Sequence, residues 1–442
     1  MHHEILIIGG GPAAITLTKV LGRSKDVAVI RPEDNSMIYC AMPYVIEGLL
    51  PVEKTLKKDD LITEAGGKLI RNRAAAVNTN KKEVTLESGD MLTYDKLIFA
   101  TGANPVIPPV IGKDLPGVMT FKTESDLKLL KQTVEKGLEH AVIVGAGAIG
   151  IELAQALRTA GARVDLVDMA VTILSNLVDP DLSLESQDQI TQMGIELHLG
   201  KTVVALHGEE QVESVELDSG KHIDLPEHGI VVFAVGMKAE TDLAREAGIE
   251  TGRGGIIINS HMETNLDDIY AVGDCVQFTS GITHEVIPGK LATNAVPMAR
   301  VLASRLLGKQ RSYAGFFNGA ATKTGSLFVG GTGLSQQEAK KNGFTIVTGQ
   351  SRLTTRFPIM PDSKPITCRL HVDAATKQVV GAQLVSGEPV TSTLDLLTLA
   401  IQKKMTVTDL IELSYSSQPY QSFFPAANVI VMAAEQADAK IE

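Results

Sequence analysis

Of the three cysteines in this 442-residue chain, Cys40 stands where sulfur chemistry is possible. It lies in Ser36-Met37-Ile38-Tyr39-Cys40-Ala41-Met42-Pro43-Tyr44. Pro43 suits a first helical turn and Gly48 the end of a short helix. A thiol at a helix start has its thiolate favoured by the helix dipole and by unpaired backbone N–H groups. Such a thiolate, if accessible, attacks disulfide sulfur or peroxide oxygen. No second cysteine is near, so a protein disulfide cannot be cycled. The second sulfur or oxygen must come from a ligand, as a mixed disulfide, a persulfide or a sulfenic acid. Cys275 and Cys368 read instead as buried thiols. His261 and His284 lack ligand-like spacing, so no metal is expected.

Two glycine-rich turns must position this thiol. Ile5 to Ile8 is a short apolar run leading into Gly9-Gly10-Gly11-Pro12-Ala13-Ala14, a helix to about Gly22 and a strand from Val27 to Ile30. In this strand, turn, helix, strand order, Gly9 allows the tight turn and Gly11 lets the backbone approach a pyrophosphate. Small Ala14 lets the helix pack on the strand, and the helix N-terminus faces the phosphates. The pattern recurs at Ala141 to Val144, then Gly145-Ala146-Gly147-Ala148-Ile149-Gly150, a helix to about Ala160 and a strand from Arg163 ending in Asp168. Gly145, Gly147 and Gly150 repeat the fingerprint. Asp168 can accept from a ribose 2′-hydroxyl, and no arginine follows it for a 2′-phosphate, so NADH is preferred, with NADPH possible. Two fingerprints imply two dinucleotides.

The bulk composition sets limits. A chain of 442 residues exceeds one hydrophobic core. A net charge of -11 argues against a nucleic-acid partner. The N-terminus lacks a signal-peptide pattern, and no long apolar run suggests a membrane span. With so few cysteines, a reducing, cytoplasmic setting is expected.

Two further turns complete a pattern. Tyr94 to Phe99 leads into Ala100-Thr101-Gly102, and Ile269 to Val272 leads into Gly273-Asp274. With the two fingerprints, in this order, they resemble the pyridine nucleotide-disulfide oxidoreductases. The resemblance implies an α/β fold with two Rossmann-like units and a C-terminal α+β dimerisation unit. An FAD unit would comprise 1–112 and 252–311, an inserted NADH unit 113–251 and the dimerisation unit 312–442. Asp274 would then contact FAD, and Val235-Gly236 would close the inserted unit as Thr101-Gly102 closes the first.

The Cys40 segment resembles the single-cysteine branch, closest to the coenzyme A-disulfide and persulfide reductases: Ser36, Cys40, Ala41, Pro43 and Tyr44 match, while Tyr39 and Met42 depart. This implies an FAD-dependent NADH oxidoreductase that reduces a small disulfide, persulfide or polysulfide, coenzyme A included, through Cys40. NADH oxidases and peroxidases, which cycle sulfenic acid, are the alternative, but Pro12 stands where they carry a supporting His. A flavoprotein passing electrons to a partner protein, or sensing redox state, is a third reading. Arg31 replaces the usual acid for the adenosine ribose, leaving Glu33 or Asp34 to serve. Ala148 replaces a Tyr that covers the flavin, and Lys19, Arg23 and Lys25 lack the doubled arginines seen where coenzyme A phosphates bind. Tyr415 and Tyr420 resemble the tyrosines that a partner subunit brings over the reactive cysteine, where a hydroxyl would protonate a leaving thiolate. A homodimer follows from the same resemblance.

Overall fold

The two apolar runs that end in glycine turns become central strands of two parallel sheets. A computed structural model describes residues 1–289 and 292–441; residues 290 and 291, within the expected FAD unit, and residue 442 lie outside the described residues. In the first sheet His2–Ile8 lies between Val27–Ile30 and Met91–Phe99, with Ile8 registered on both Ile30 and Phe99. Lys68–Ile70 extends it beyond Val27–Ile30, and Ile269–Ala271 pairs parallel with the end of Met91–Phe99. Parallel strands covered on both faces read as continuous apolar runs, and Val27–Ile30 is buried at every position. An antiparallel meander, Ala74–Asn78 and Glu83–Leu86, joins the other edge of Met91–Phe99.

The second sheet repeats the plan. Its order is Val118–Thr120, Gly229–Phe233, His140–Val144, Arg163–Asp168, Ile195–Leu199, all parallel. The meander Val203–His207, Ser214–Leu217, His222–Asp224 accompanies it. The chain crosses between the two sheets twice, and the crossings touch: Ala103–Pro105 pairs antiparallel with Met237–Ala239.

The last unit is a five-stranded antiparallel sheet ordered Ala320–Thr324, Leu327–Gly333, Val379–Ser386, Pro365–Asp373, Ile346–Thr354. The helices Thr391–Gln402 and Val429–Asp438 pack on it. A short helix, Gln336–Lys341, follows the strand Leu327–Gly333, where Ser335 and Glu338 form a capping box. Among the described residues no helix is long and apolar enough to cross a membrane.

Candidate active site

Both glycine turns are shaped to admit a bulky polar ligand. Gly9 and Gly145 have φ of +109° and +113°, and an added Cβ would lie 2.1 Å from the Ala100 oxygen and 2.5 Å from the Ala234 oxygen. Only glycine fits there. At Gly11 and Gly147, the N-caps of the two helices, an added Cβ would meet no protein atom within 4 Å. Neither N-cap offers a side chain to the first-turn N–H groups. Open space over unpaired donors at a helix N-terminus fits a pyrophosphate, so the residues present suit a dinucleotide at each turn. Gly150 serves packing: its Cβ would lie 1.8 Å from the Gly145 oxygen. Fully buried Ala14 lies at the matching place in the first helix.

Asp168 ends its strand as expected. Its carboxylate accepts from the Ala146 N–H at 2.5 Å and the Ala170 N–H at 2.7 Å, so it also fastens the second glycine turn. Gly273 sits 3.5–3.6 Å from Ala295 and Ala13, measured from where a Cβ would be, which puts Asp274 beside the start of the first fingerprint helix. Thr101 donates to the Glu240 carbonyl at 2.7 Å, and Glu240 N–H donates to the Gly102 carbonyl, tying the two crossings together next to Gly236.

Cys40 lies in a single 3-10 turn, Tyr39–Ala41, just before the helix Met42–Ile46 with Pro43 in its first turn. Its side chain is exposed, whereas Cys275 and Cys368 are fully buried, and burial pushes the Cys368 thiol up to about 12. The strand Ser36–Met37 pairs with Leu56–Lys57, and Ile38 N–H donates to the Thr55 carbonyl, fixing the entry into the turn. On the far side, Met37, Met42, Val45 and Ile46 bury into the cluster that holds Ile151, Leu153 and Ala154 of the second fingerprint helix. Val329 and Val385 of the C-terminal sheet join that cluster. The thiol therefore sits where all three units meet.

Charged groups surround it. Glu152, on the second fingerprint helix, accepts from Thr322 Oγ1 at 2.8 Å, and burial raises its carboxyl above the usual range. Tyr44 is raised too, by burial and then by the charges of Glu152 and Cys40. Burial lowers the Lys57 ammonium, and the Cys40 charge acts against that fall. Lys122 donates to the Ala103 carbonyl at 2.5 Å and lies 5.4 Å over the Tyr39 ring. Asp274 is the charge that supports its ammonium against burial. Cys40 is thus linked through charge to Lys57 and Tyr44, Tyr44 to Glu152, and Lys122 to both the Tyr39 ring and Asp274.

Known proteins with this architecture decide the family. Residues 3–299 match the pyridine nucleotide-disulphide oxidoreductases, and residues 320–423 match the dimerisation domain of the same family. The chain belongs to that family. An "NADH oxidase" of Methanocaldococcus jannaschii is 33% identical over 432 residues, 94% of each chain. An "NAD(P)H sulfur oxidoreductase (CoA-dependent)" of Pyrococcus abyssi is 30% identical over 400 residues, 87% of each. The solved NAD-dependent persulfide reductase from A. fulgidus superposes with a TM-score of 0.93 at 26% identity, covering 100% of this chain and 83% of that one. As a pyridine nucleotide-disulphide oxidoreductase, the chain is a nicotinamide-dependent enzyme with FAD as its prosthetic group.

Other expected site residues of this family member lie further out. Arg31 is buried, and its stem fills the space a Cβ at Gly10 would need. Its guanidinium donates to the Glu33 and Asp34 carbonyls at 2.9 and 3.0 Å and to Asp59 at 2.5 Å. The Glu33 side chain is exposed. The acid brought to this strand end is Asp59, which also pairs with Arg71. Tyr415 donates to the Pro425 carbonyl at 2.5 Å, and Tyr420 is 55% exposed. Both belong to the 412–428 segment and are held by bonds within it.

Asp59, Lys57, Lys122 and Glu152 escaped sequence reading. Glu152 carried a signal, since it follows Ala148 by one helical turn and shares its face. The others lie on segments with no motif of their own.

Proposed function

We propose that this enzyme is an NADH-dependent reductase of persulfides, polysulfides or small disulfides, coenzyme A disulfide among them, acting through Cys40. The observation that carries the reading is that Cys40 is the accessible thiol and has no cysteine beside it. Gly9, Gly11, Ala14, Thr101, Gly102, Gly273 and Asp274 would hold FAD, and Gly145, Gly147, Gly150, Asp168 and Gly236 the nicotinamide dinucleotide. Arg31 and Glu33 would act at the adenosine end through their contacts with Asp59 and Arg71. The FAD unit 1–112 with 252–311, the NADH unit 113–251 and the interface unit 312–442 remain our division. It is supported by the two crossings and the separate C-terminal sheet.

The bound flavin supplies the two-electron link between nicotinamide and sulfur. The chain's own residues do the rest. Cys40 thiolate attacks one sulfur of the acceptor, the S–S bond breaks, and the departing thiolate takes up a proton. The electron pair and proton that complete reduction of the Cys40 mixed disulfide or persulfide originate in NADH. Glu152, its carboxyl raised by burial, is suited to hold a proton beside this site. Lys57 presents positive charge to an anionic sulfur species. Tyr415 and Tyr420, exposed in one chain, suit a role across a homodimer interface formed by the dimerisation domain. Three free thiols support a reducing cytoplasmic setting.

The Methanocaldococcus relative favours a second reading, an NADH oxidase cycling Cys40 through sulfenic acid. Against it, Pro12 offers no side-chain hydrogen bond to a sulfenate. The test is Cys40→Ser. Bound FAD and NADH binding should persist while NADH-dependent turnover of polysulfide and coenzyme A disulfide falls to background. Retained turnover with those acceptors overturns the proposal.

A further inference from the structure

Away from the thiol, three adjacent strands of the second sheet carry a line of polar side chains through an otherwise apolar face. His140 opens its strand, Asp165 is the third residue of the next, and His198 is the fourth of Ile195–Leu199. The register places Asp165 opposite Val142 and Glu196, and His198 opposite Val167, so His140, Asp165 and His198 form a diagonal on one face. That face also holds Val142, Val167, Val231 and Phe233. Both imidazoles aim the same nitrogen at one carboxylate. His140 Nε2 lies 2.6 Å from Asp165 Oδ2, and His198 Nε2 lies 2.6 Å from Asp165 Oδ1. Glu196 closes the group at the surface, its Oε1 3.6 Å from His198 Nε2. Ligand atoms of Asp165, Glu196 and His198 all fall within 4.8 Å of one another.

Burying these groups is costly. Asp165 is 1% exposed, His140 3% and His198 8%, and a buried ion pair replaced by apolar residues is often no less stable. A hydrogen bond to one histidine would pair the carboxylate. Asp165, His198 and Glu196 together offer one nitrogen and two carboxylates, and His140, bonded to the other Asp165 oxygen, orients that carboxylate. Donors of this kind bind zinc at about 2.0–2.2 Å, which sets tetrahedral ligand atoms roughly 3.3 Å apart. His198 Nε2 and Asp165 Oδ1, 2.6 Å apart, must part by roughly 0.7 Å, and half-exposed Glu196 must swing inward, to admit such an ion.

Two cations compete for the same oxygens. Arg163 Nε lies 3.4 Å from Asp165 Oδ2, and Lys221 Nζ lies 3.1 Å from Glu196 Oε1. Both side chains are more than half exposed and can turn to solvent when a metal arrives. Half-exposed Glu196 marks the way in.

We propose that Asp165, His198 and Glu196 bind one divalent transition cation of the zinc class, with water completing its shell and His140 holding Asp165 in place. The site lies toward the strand starts, about 16 Å of extended chain from Gly145 at the dinucleotide turn. It would clamp two neighbouring strands of the NADH unit without touching the redox centre.

The test uses the FAD-loaded protein, stripped with chelator and dialysed against zinc, with bound metal counted by elemental analysis. One zinc per chain is expected. His198→Gln should weaken zinc binding roughly 10- to 100-fold, and the surface variant Glu196→Gln should weaken it less. If His198→Gln does not fold, Glu196→Gln and the wild-type stoichiometry decide. No saturable zinc on the wild type, or zinc binding unchanged in both variants, overturns the proposal.

Discussion

At Cys40 the decisive contrast is accessibility. Cys368 is as much a thiol, but burial keeps it protonated and out of reach. The residues proposed to tune Cys40 come from far along the chain, which is why sequence reading singled out the thiol and not its neighbours. Lys57 lies two residues past Thr55 and reaches the site because its strand pairs with Ser36. Lys57→Met should raise KM for polysulfide about 3- to 10-fold with smaller change in kcat, as loss of one partly buried attractive charge implies. Steady-state kinetics at two ionic strengths would check it, since the wild-type advantage should shrink in high salt. Glu152→Gln removes a titrating proton store while keeping shape. Its rate should fall and lose a limb of the pH profile, and an unchanged profile would remove Glu152 from proton transfer.

At the scale of elements, the two strand–glycine–helix turns were legible because their chemistry is local. Glycine positions, small packing residues and the acid at the strand end all fall within about thirty residues. The structure separates the glycines by task. Gly11→Ala adds a methyl into open space, so the fold should stay intact while FAD content drops; near-ultraviolet circular dichroism and flavin absorbance report the two independently. Gly150→Ala drives a methyl into the Gly145 carbonyl and should instead lower thermal stability by about 1–3 kcal/mol, with the second helix forced off its strand. Arg31 marks where local reading stopped short. The strand end was recognised, but the acid that meets it, Asp59, arrives from a separate segment through a salt bridge that no spacing reveals. The His140, Asp165 and His198 diagonal was hidden for the same reason, since only the parallel register brings those positions together.

Across the whole molecule, the three units are joined by buried polar contacts as well as by the apolar cluster behind Cys40. Asp179, before the helix Pro180–Gln192 of the second unit, meets His371 at 2.9 Å and Arg369 at 3.2 Å on the C-terminal sheet. Burial pushes its carboxyl up, but hydrogen bonding and charge from His371 outweigh that and hold it well below the usual range. A depressed carboxyl adds stability above its unfolded pKa near 3.8 and loses it as pH falls through the folded value. The contact between these units should therefore hold at neutral pH and weaken only below about pH 4. Asp179→Asn should cost about 3 kcal/mol by leaving buried His371 facing an uncharged group, while Arg369 keeps its pair with Asp181, measured by chemical denaturation at pH 7. The order of units was readable from the order of motifs, but their meeting point at the thiol was not. It depends on Met42, Val45 and Ile46, which look like any short apolar helix until the second unit and the C-terminal sheet close over them.

The most direct test of Cys40 as a carrier of sulfur is the mass of the intact FAD-loaded protein after exposure to polysulfide or coenzyme A disulfide. A reductant-labile sulfur adduct should map to the peptide bearing Cys40 and disappear when NADH is added. An oxygen adduct alone, or no adduct at Cys40, would contradict the account.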